Sequence, residues 1–463
     1  MNRPPSDTLR PSAQRPRVAL AHDWLCGLRG GELVLDRLIR VLAPRADIVG
    51  LWTMFADEKP LTPAIDRLPR HVWPAGATRL GAGPARRWLL PMYARAVGWL
   101  SDDLAREHGR RAIDLVVSTS SAAIKNLNTF GIAHVCYCHC PARWAWSAEP
   151  DHAEGSLARR AGLRLVRRRF CAWDHAGSRS VTTFIANSTH VSQEIARAYA
   201  RPARVIPPPV RTTYFVPEGA SSRVRESELK RHWLVVGAME PHKRVDLAID
   251  AALAAREQLV VVGTGSQERA LRQRAARGNT AAGSELVRLV GRVPDPELRE
   301  FYRSARMLLM PQVEDFGIVA IEAQACGTPV VARRAGGALD SVVEDVTGTF
   351  FDQPTASSLV EAARRCEARG LGGAACVLHA QRFSEAAFDR DILNELDRAL
   401  GGRLSLAPVE DSSEGVLEAK PEISVAPRAA PIALAESTLP IMTVERTQPE
   451  PAQSDGAPRV TRA

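Results

Sequence analysis

Two carboxylates separated by seven residues stand in the segment Glu314-Asp-Phe-Gly-Ile-Val-Ala-Ile-Glu322. A helix beginning near Gly317 would leave its first N–H groups free for an anion, with Glu322 about a turn further on. An ionised carboxylate accepts paired hydrogen bonds from vicinal hydroxyls, which is what a sugar or a ribose presents. Taken alone, the pair also fits a loop acid and a solvated helix acid. A glycine-rich turn, Gly27-Leu-Arg-Gly30-Gly31, offers a second place for an anion, because only residues without Cβ let backbone approach one so closely. Paired glycines also occur in turns that bind nothing.

Two other patterns point away from their usual chemistry. Cys136, Cys138, His139 and Cys140 could suggest zinc, but alternation along a strand points the three thiols to one face and no C-x2-C pair is present. Gly263-Thr-Gly265 follows an apolar run, yet Glu268 stands where a dinucleotide fingerprint needs glycine or alanine, which disfavours a nicotinamide enzyme.

The elements that must carry these residues alternate between strand and helix. The run from Arg17 reads as a buried strand and Glu32 to Leu42 has helical spacing, so the chain opens as strand, glycine turn and helix. Further strands are expected at Asp47–Trp52, Asp114–Ser118, His134–Tyr137 and Thr183–Ala186, with a stiff connector at Pro207-Pro208-Pro209. The alternation restarts with strands at Trp233–Val236, Leu259–Val262, Leu286–Leu289, Met307–Met310 and Pro329–Ala332. The expected organisation is a disordered segment at 1–16, Rossmann-like domains at 17–210 and 217–400, and a disordered tail at 404–463. Open parallel sheets bind ligands at the carboxyl ends of their strands, so the chemistry belongs in the loops that face the cleft between the domains.

The net charge is +9, and the tail from Leu404 carries about −4 of it, leaving about +13 on the rest. That balance suits an anionic partner. Nucleic acid is disfavoured, since no groove of interleaved basic and stacking aromatic residues appears. Arg86–Arg95 and the six arginines from Arg159 to Arg169, mixed with Leu163, Leu165 and Val166, could meet an anionic membrane, or form helices packed on the first sheet. No spanning segment or signal peptide is read, so the expected location is cytoplasmic with peripheral contact at the inner membrane face, and the eight cysteines are expected as reduced thiols.

Several motifs in order resemble family 4 glycosyltransferases over roughly residues 17–395. Glu314 to Ala332 (EDFGIVAIEAQACGTPVVA) is similar to the family's E-x7-E signature, and Trp233 to Ala248 to its nucleotide-binding strand and loop. Ala21 to Glu32 (AHDWLCGLRGGE) resembles the N-terminal phosphate loop, and Val135 to Trp146 (VCYCHCPARWAW) a mannosyltransferase-like branch. The resemblance implies an α/β GT-B architecture, two Rossmann-like parallel-sheet domains facing across a cleft. It implies a retaining hexosyltransferase that uses a nucleoside-diphosphate sugar, favouring GDP-mannose, with no bound metal and no other cofactor. The acceptor would be a glycan or a lipid-linked sugar in polysaccharide biosynthesis. Glu314 would sit by the donor sugar and Glu322 on the ribose. The backbone of Phe316, Gly317 and Ile318 would contact sugar or phosphate, and Gly30 and Gly31 the phosphates from the opposite domain. Lys243 would pair with the diphosphate. Where many members have an arginine this chain has Ala238, so the second cation is expected from Arg244 or Arg292. His139 would sit near the sugar, with Arg143 and Trp146 on the acceptor side; a buried core histidine is the other reading of His139. A catalytically silent sugar-nucleotide binder, or an epimerase or hydrolase of the same fold, remain the alternatives.

Overall fold

The computed structural model describes residues 15–57, 59–74, 92–146, 157–217 and 232–406, the side chains of 157–164 excepted. The expected disordered stretches at 1–16 and 404–463 therefore lie almost entirely outside the described residues. The first domain is a seven-stranded parallel sheet in the order β3-β2-β1-β4-β5-β6-β7. Its strands are β1 (Arg17–Leu25), β2 (Asp47–Ala56), β3 (Arg70–Val72), β4 (Leu115–Ser120), β5 (Ala133–Cys138), β6 (Thr183–Ala186) and β7 (Ala203–Val205). The second domain is a six-stranded parallel sheet, β10-β9-β8-β11-β12-β13. It comprises β8 (His232–Val236), β9 (Leu259–Val262), β10 (Val287–Gly291), β11 (Ala305–Met310), β12 (Val330–Arg333) and β13 (Gly348–Phe351).

Both sheets are covered by helices on both faces, which is why their strands are apolar runs rather than alternating ones. In β1, Val18 and Leu20 pack toward one helical layer and Ala19 and Ala21 toward the other. Strand order reverses between β1 and β4 in the first sheet and between β8 and β11 in the second. Those switch points open a crevice at the carboxyl ends of the strands. The loops after β1, β5, β8 and β11 hold the residues singled out above.

Three strands went unread in the sequence, β3, β7 and β13, each of four residues or fewer. The first helix begins at Gly30 rather than Glu32. A larger difference concerns the boundary at residue 400. Helix Glu385–Ala399, expected in the second domain, lays Phe388, Ile392, Leu393 and Leu396 into the first domain's core against Val18, Leu20 and Tyr137. Leu400 and Leu404 continue the same cluster. Arg37 pairs with Asp389 and Glu385, and Arg204 with Glu395, around its rim. The chain thus crosses between the domains twice, once after β7 and once before this helix.

Candidate active site between the two sheets

The loop after β11 bends at Gly317, whose φ of 89° lies in the left-handed region and whose added Cβ would stand 2.6 Å from Met310 Cε. The left-handed backbone is what calls for glycine there, since the Met310 methyl can swing aside. Helix Ile318–Ala325 begins immediately after, so its free N–H groups open at the mouth of the crevice, as the sequence predicts. Phe316 turns its ring into the core against Phe383, leaving only its backbone near the opening.

Glu314 accepts from Lys243 Nζ and, at 2.8 Å, from Gln312 Nε2. Burial pushes its carboxyl up, but the charge and hydrogen bond of Lys243, with help from Gln312 and Arg143, outweigh burial and hold it below its ordinary value. Glu322 behaves in the opposite way. It accepts from the Tyr302 hydroxyl at 2.7 Å, and burial raises its carboxyl above the usual range despite that bond. One acid of the pair is thus held ionised by a cation, while the other, among the described residues, accepts from the Tyr302 hydroxyl and keeps acceptor capacity to spare.

The first domain supplies the facing wall. Glu32 accepts from the Arg29 N–H at 3.1 Å, closing the first turn of helix Gly30–Leu42. Burial raises the Glu32 carboxyl, yet the nearby His22 ring and two backbone N–H groups bring it below its ordinary value. A Cβ on Gly31 would lie 3.4 Å from His139 Nε2 and 3.5 Å from His22 Cε1, ordinary contact distances that place the start of this helix directly against the two rings. A Cβ on Gly30 would meet Ile318 Cδ1 of the opposite domain at 3.6 Å. The two helix N-termini therefore converge on one space. His139 follows β5 with its backbone N–H on Ser120 O at 2.8 Å. Its Nε2 is buried and has no hydrogen-bond partner among the described residues. Burial and the neighbouring His22 lower its pKa to about 4, so the ring is neutral at pH 7.

Several expectations change. Arg244, at φ 50°, bends back to Asp246 at 3.2 Å, and Arg292 is exposed at the end of β10, so neither joins Lys243 and Glu314. Ala238 is exposed, and nothing at its position supplies charge. Trp146 turns inward and donates to Asp174 at 2.8 Å instead of shaping a binding face. Arg143 crosses to the second domain and meets Asp315 Oδ2 at 2.5 Å. Cys136 and Cys138 are buried in an apolar cluster with Phe184 and Val191.

Sequence reading missed the residues that hold the loops. Buried Asp23 accepts four backbone N–H groups, from Ser121 to Ile124 at 2.6–2.9 Å, and so fixes the turn after β4. Ser188 caps its own helix through Val191 N and donates to Asp315 O, while Asp340 accepts from Thr189 N at 2.7 Å. These two contacts tie the domains together beside the site. A buried aspartate followed by a Ser/Thr run is the only sequence signal for the first; the second has none.

Residues 221–389 match the family model of glycosyl transferases group 1. That segment contains Lys243, Glu314 and Glu322 and covers the second domain. The chain is 33% identical over 223 residues to the D-inositol 3-phosphate glycosyltransferase of Kribbella flavida, covering 43% of this chain and 52% of that protein. It is 36% identical over 231 residues to D-inositol 3-phosphate glycosyltransferase 2 of Catenulispora acidiphila, covering 44% and 53%. The chain thus spans about half the length of the curated relatives it matches. Among solved structures, sucrose-phosphate synthase from Thermosynechococcus elongatus superimposes with a TM-score of 0.65 at 19% identity, over 84% of this chain and 99% of that one. Anabaena HepE in complex with UDP gives 0.57 at 19% identity, over 82% and 100%. These likenesses show the fold, two Rossmann-like parallel-sheet domains in the GT-B arrangement.

Proposed function

We propose that the chain is a retaining hexosyltransferase that takes a sugar from a nucleoside diphosphate and passes it to a glycan or lipid-linked acceptor. One observation carries this reading: Glu314 and Glu322 flank the open N-terminus of helix Ile318–Ala325, with Lys243 on the first acid. In the reaction Glu314 accepts from donor-sugar hydroxyls, Glu322 takes the ribose hydroxyls, and the two helix N-termini with Lys243 receive the diphosphate. The acceptor oxygen bonds to the anomeric carbon as the bond to the departing phosphate oxygen breaks, on the same face, and the acceptor proton passes to that phosphate. Fixed cations and N–H groups stabilise the charge that develops on the leaving diphosphate, the task a metal performs in other phosphate sites. Neutral His139 offers Nε2 to a sugar hydroxyl.

Mannose from GDP-mannose is the favoured donor, on the resemblance of Val135–Trp146 to the mannosyltransferase-like branch. The matched relatives are named for D-inositol 3-phosphate and HepE was solved with UDP, so the donor base and acceptor are open to direct test. The setting we propose is polysaccharide assembly at an anionic membrane face. Exposed Leu165 and Val166 beside Arg167, Arg168 and Arg169 support that contact, the rest of that basic stretch and most of Arg86–Arg95 lying outside the described side chains. No helix among the described residues is long and apolar enough to cross a membrane.

The test is a thermal-shift panel of GDP-mannose, UDP-glucose and UDP-N-acetylglucosamine on the wild type and on Glu322→Ala. A donor at about 100 times its Kd stabilises the folded state by about 2.7 kcal/mol. One donor should raise the midpoint of the wild type and leave the variant unmoved. A wild type that responds to none at millimolar concentration overturns the reading.

A further inference from the structure

Among the described residues of its own domain, no second cation pairs with the acids beside Lys243: Ala238 carries no charge and Arg244 points to Asp246, on its own helix. A diphosphate presents more negative charge than one ammonium matches. A guanidinium reaches the same loop from the other domain. Arg143, at the start of the short helical turn after β5, reaches across the crevice to Asp315, the residue next to Glu314. Two consecutive carboxylates therefore carry two cations, one from each domain: Glu314 holds Lys243 and Asp315 holds Arg143. Arg143 also acts electrostatically on Glu314 itself, so the four charges form one cluster.

Asp315 is well placed to release its partner. Its carboxylate is partly exposed, at 23%, and the Arg143 side chain at 43%, so the ion pair faces solvent rather than a sealed core. A partly exposed pair is screened by water, whereas a guanidinium fork meets a phosphate through two parallel hydrogen bonds. Asp315 stays tethered after losing the arginine, because its backbone oxygen keeps the Ser188 hydroxyl.

We infer that Arg143 is the second phosphate-binding cation, supplied by the first domain, and that Asp315 holds its guanidinium until a nucleoside diphosphate displaces the carboxylate. The inference rests on the glycosyltransferase reading and names the residue that replaces the one missing at Ala238. It places Arg143 on the phosphate adjoining the donor sugar, the side on which Glu314 lies. Donor binding then draws on both domains at once.

Isothermal titration of the full chain with GDP, UDP and ADP, and with GMP, UMP and AMP, tests this on the wild type, Arg143→Gln, Arg143→Lys and Asp315→Asn. Arg143→Gln should weaken the preferred diphosphate by about 10- to 100-fold and its monophosphate by less than about 3-fold. Arg143→Lys should fall between. Asp315→Asn should tighten diphosphate binding by about 3-fold or more, and should lose that gain when combined with Arg143→Gln. Equal diphosphate binding by wild type and Arg143→Gln overturns the inference while the transferase reading stands. So does an Asp315→Asn variant that weakens binding as much as Arg143→Gln, since the pair would then be only a brace between domains. A wild type that binds no nucleotide overturns both. Unliganded thermal midpoints within about 3 °C of the wild type keep the Gln variant interpretable, and Arg143→Lys serves in its place if they are not.

Discussion

Glu322 pays for its position before any ligand arrives. Burial raises its folded pKa above the unfolded value, so ionising it at neutral pH destabilises the protein; the favourable contribution is present below the unfolded pKa and is lost as pH rises through the folded one. Glu322→Gln should therefore raise the unliganded melting temperature while removing the donor-induced shift, two changes of opposite sign in one scan. Donor affinity should in turn weaken as pH falls through the raised pKa of Glu322, because ribose hydroxyls donate best to the ionised form. His139 predicts a flat region instead: with a pKa of about 4 it contributes no inflection near 6.5 to a pH–rate profile. His139→Ala should lower kcat/KM by about 10- to 100-fold without creating or removing a limb. At this scale the sequence disclosed what is local. The spacing of Glu314, Gly317 and Glu322 follows from one loop and one helix. Arg143 on Asp315 and Ser188 on Asp315 O join residues far apart in the chain, and no periodicity carries that information. Arg244, by contrast, is turned toward Asp246 by its left-handed backbone at the helix entrance, a local bend that spacing alone does not show.

The elements that aim these side chains depend on a few buried polar anchors. Lys125 and Asp174 form a fully buried ion pair at 2.7 Å, and Asn126, Trp146 and Tyr199 also donate to that carboxylate. Burial would lower the Lys125 pKa, but Asp174, with smaller help from neighbours that include Asp23, leaves it raised. Removing one partner strands a charge, so Lys125→Met should destabilise the chain by about 3–5 kcal/mol, read by urea unfolding. The double variant Lys125→Met/Asp174→Leu should recover part of that loss. The Asp174 network also binds the helix Leu157–Gly177 to the loop before β5. The strands themselves were mostly legible, because a parallel strand buried on both faces shows as a short apolar run bounded by turns. β3 and β7 were not, since three half-exposed residues at a sheet edge mark no pattern, and β13, though buried, is only the four residues Gly348–Phe351, too short a run to stand out.

At the scale of the whole molecule, the membrane contact proposed for the arginine-rich stretch predicts a salt-dependent association. The chain should co-sediment with vesicles containing phosphatidylglycerol at low ionic strength and be released by about 0.5 M salt, with Leu165→Glu/Val166→Glu weakening the attachment. Phosphatidylcholine vesicles should retain neither form. Domain membership was the least legible property of the sequence. Helix Glu385–Ala399 follows the second sheet in order, yet its apolar stripe completes the first domain's core, a fact visible only once both sheets are placed. That return crossing sets a timetable for biosynthesis. A ribosome that has finished β7 has still to make about 200 residues before Phe388, Ile392 and Leu396 emerge, which at ordinary elongation rates takes roughly 10–40 s. Throughout that interval Val18, Leu20 and Tyr137 have only part of their cover, chiefly from helix Gly30–Leu42, and the newborn first domain exposes apolar surface while the second is completed.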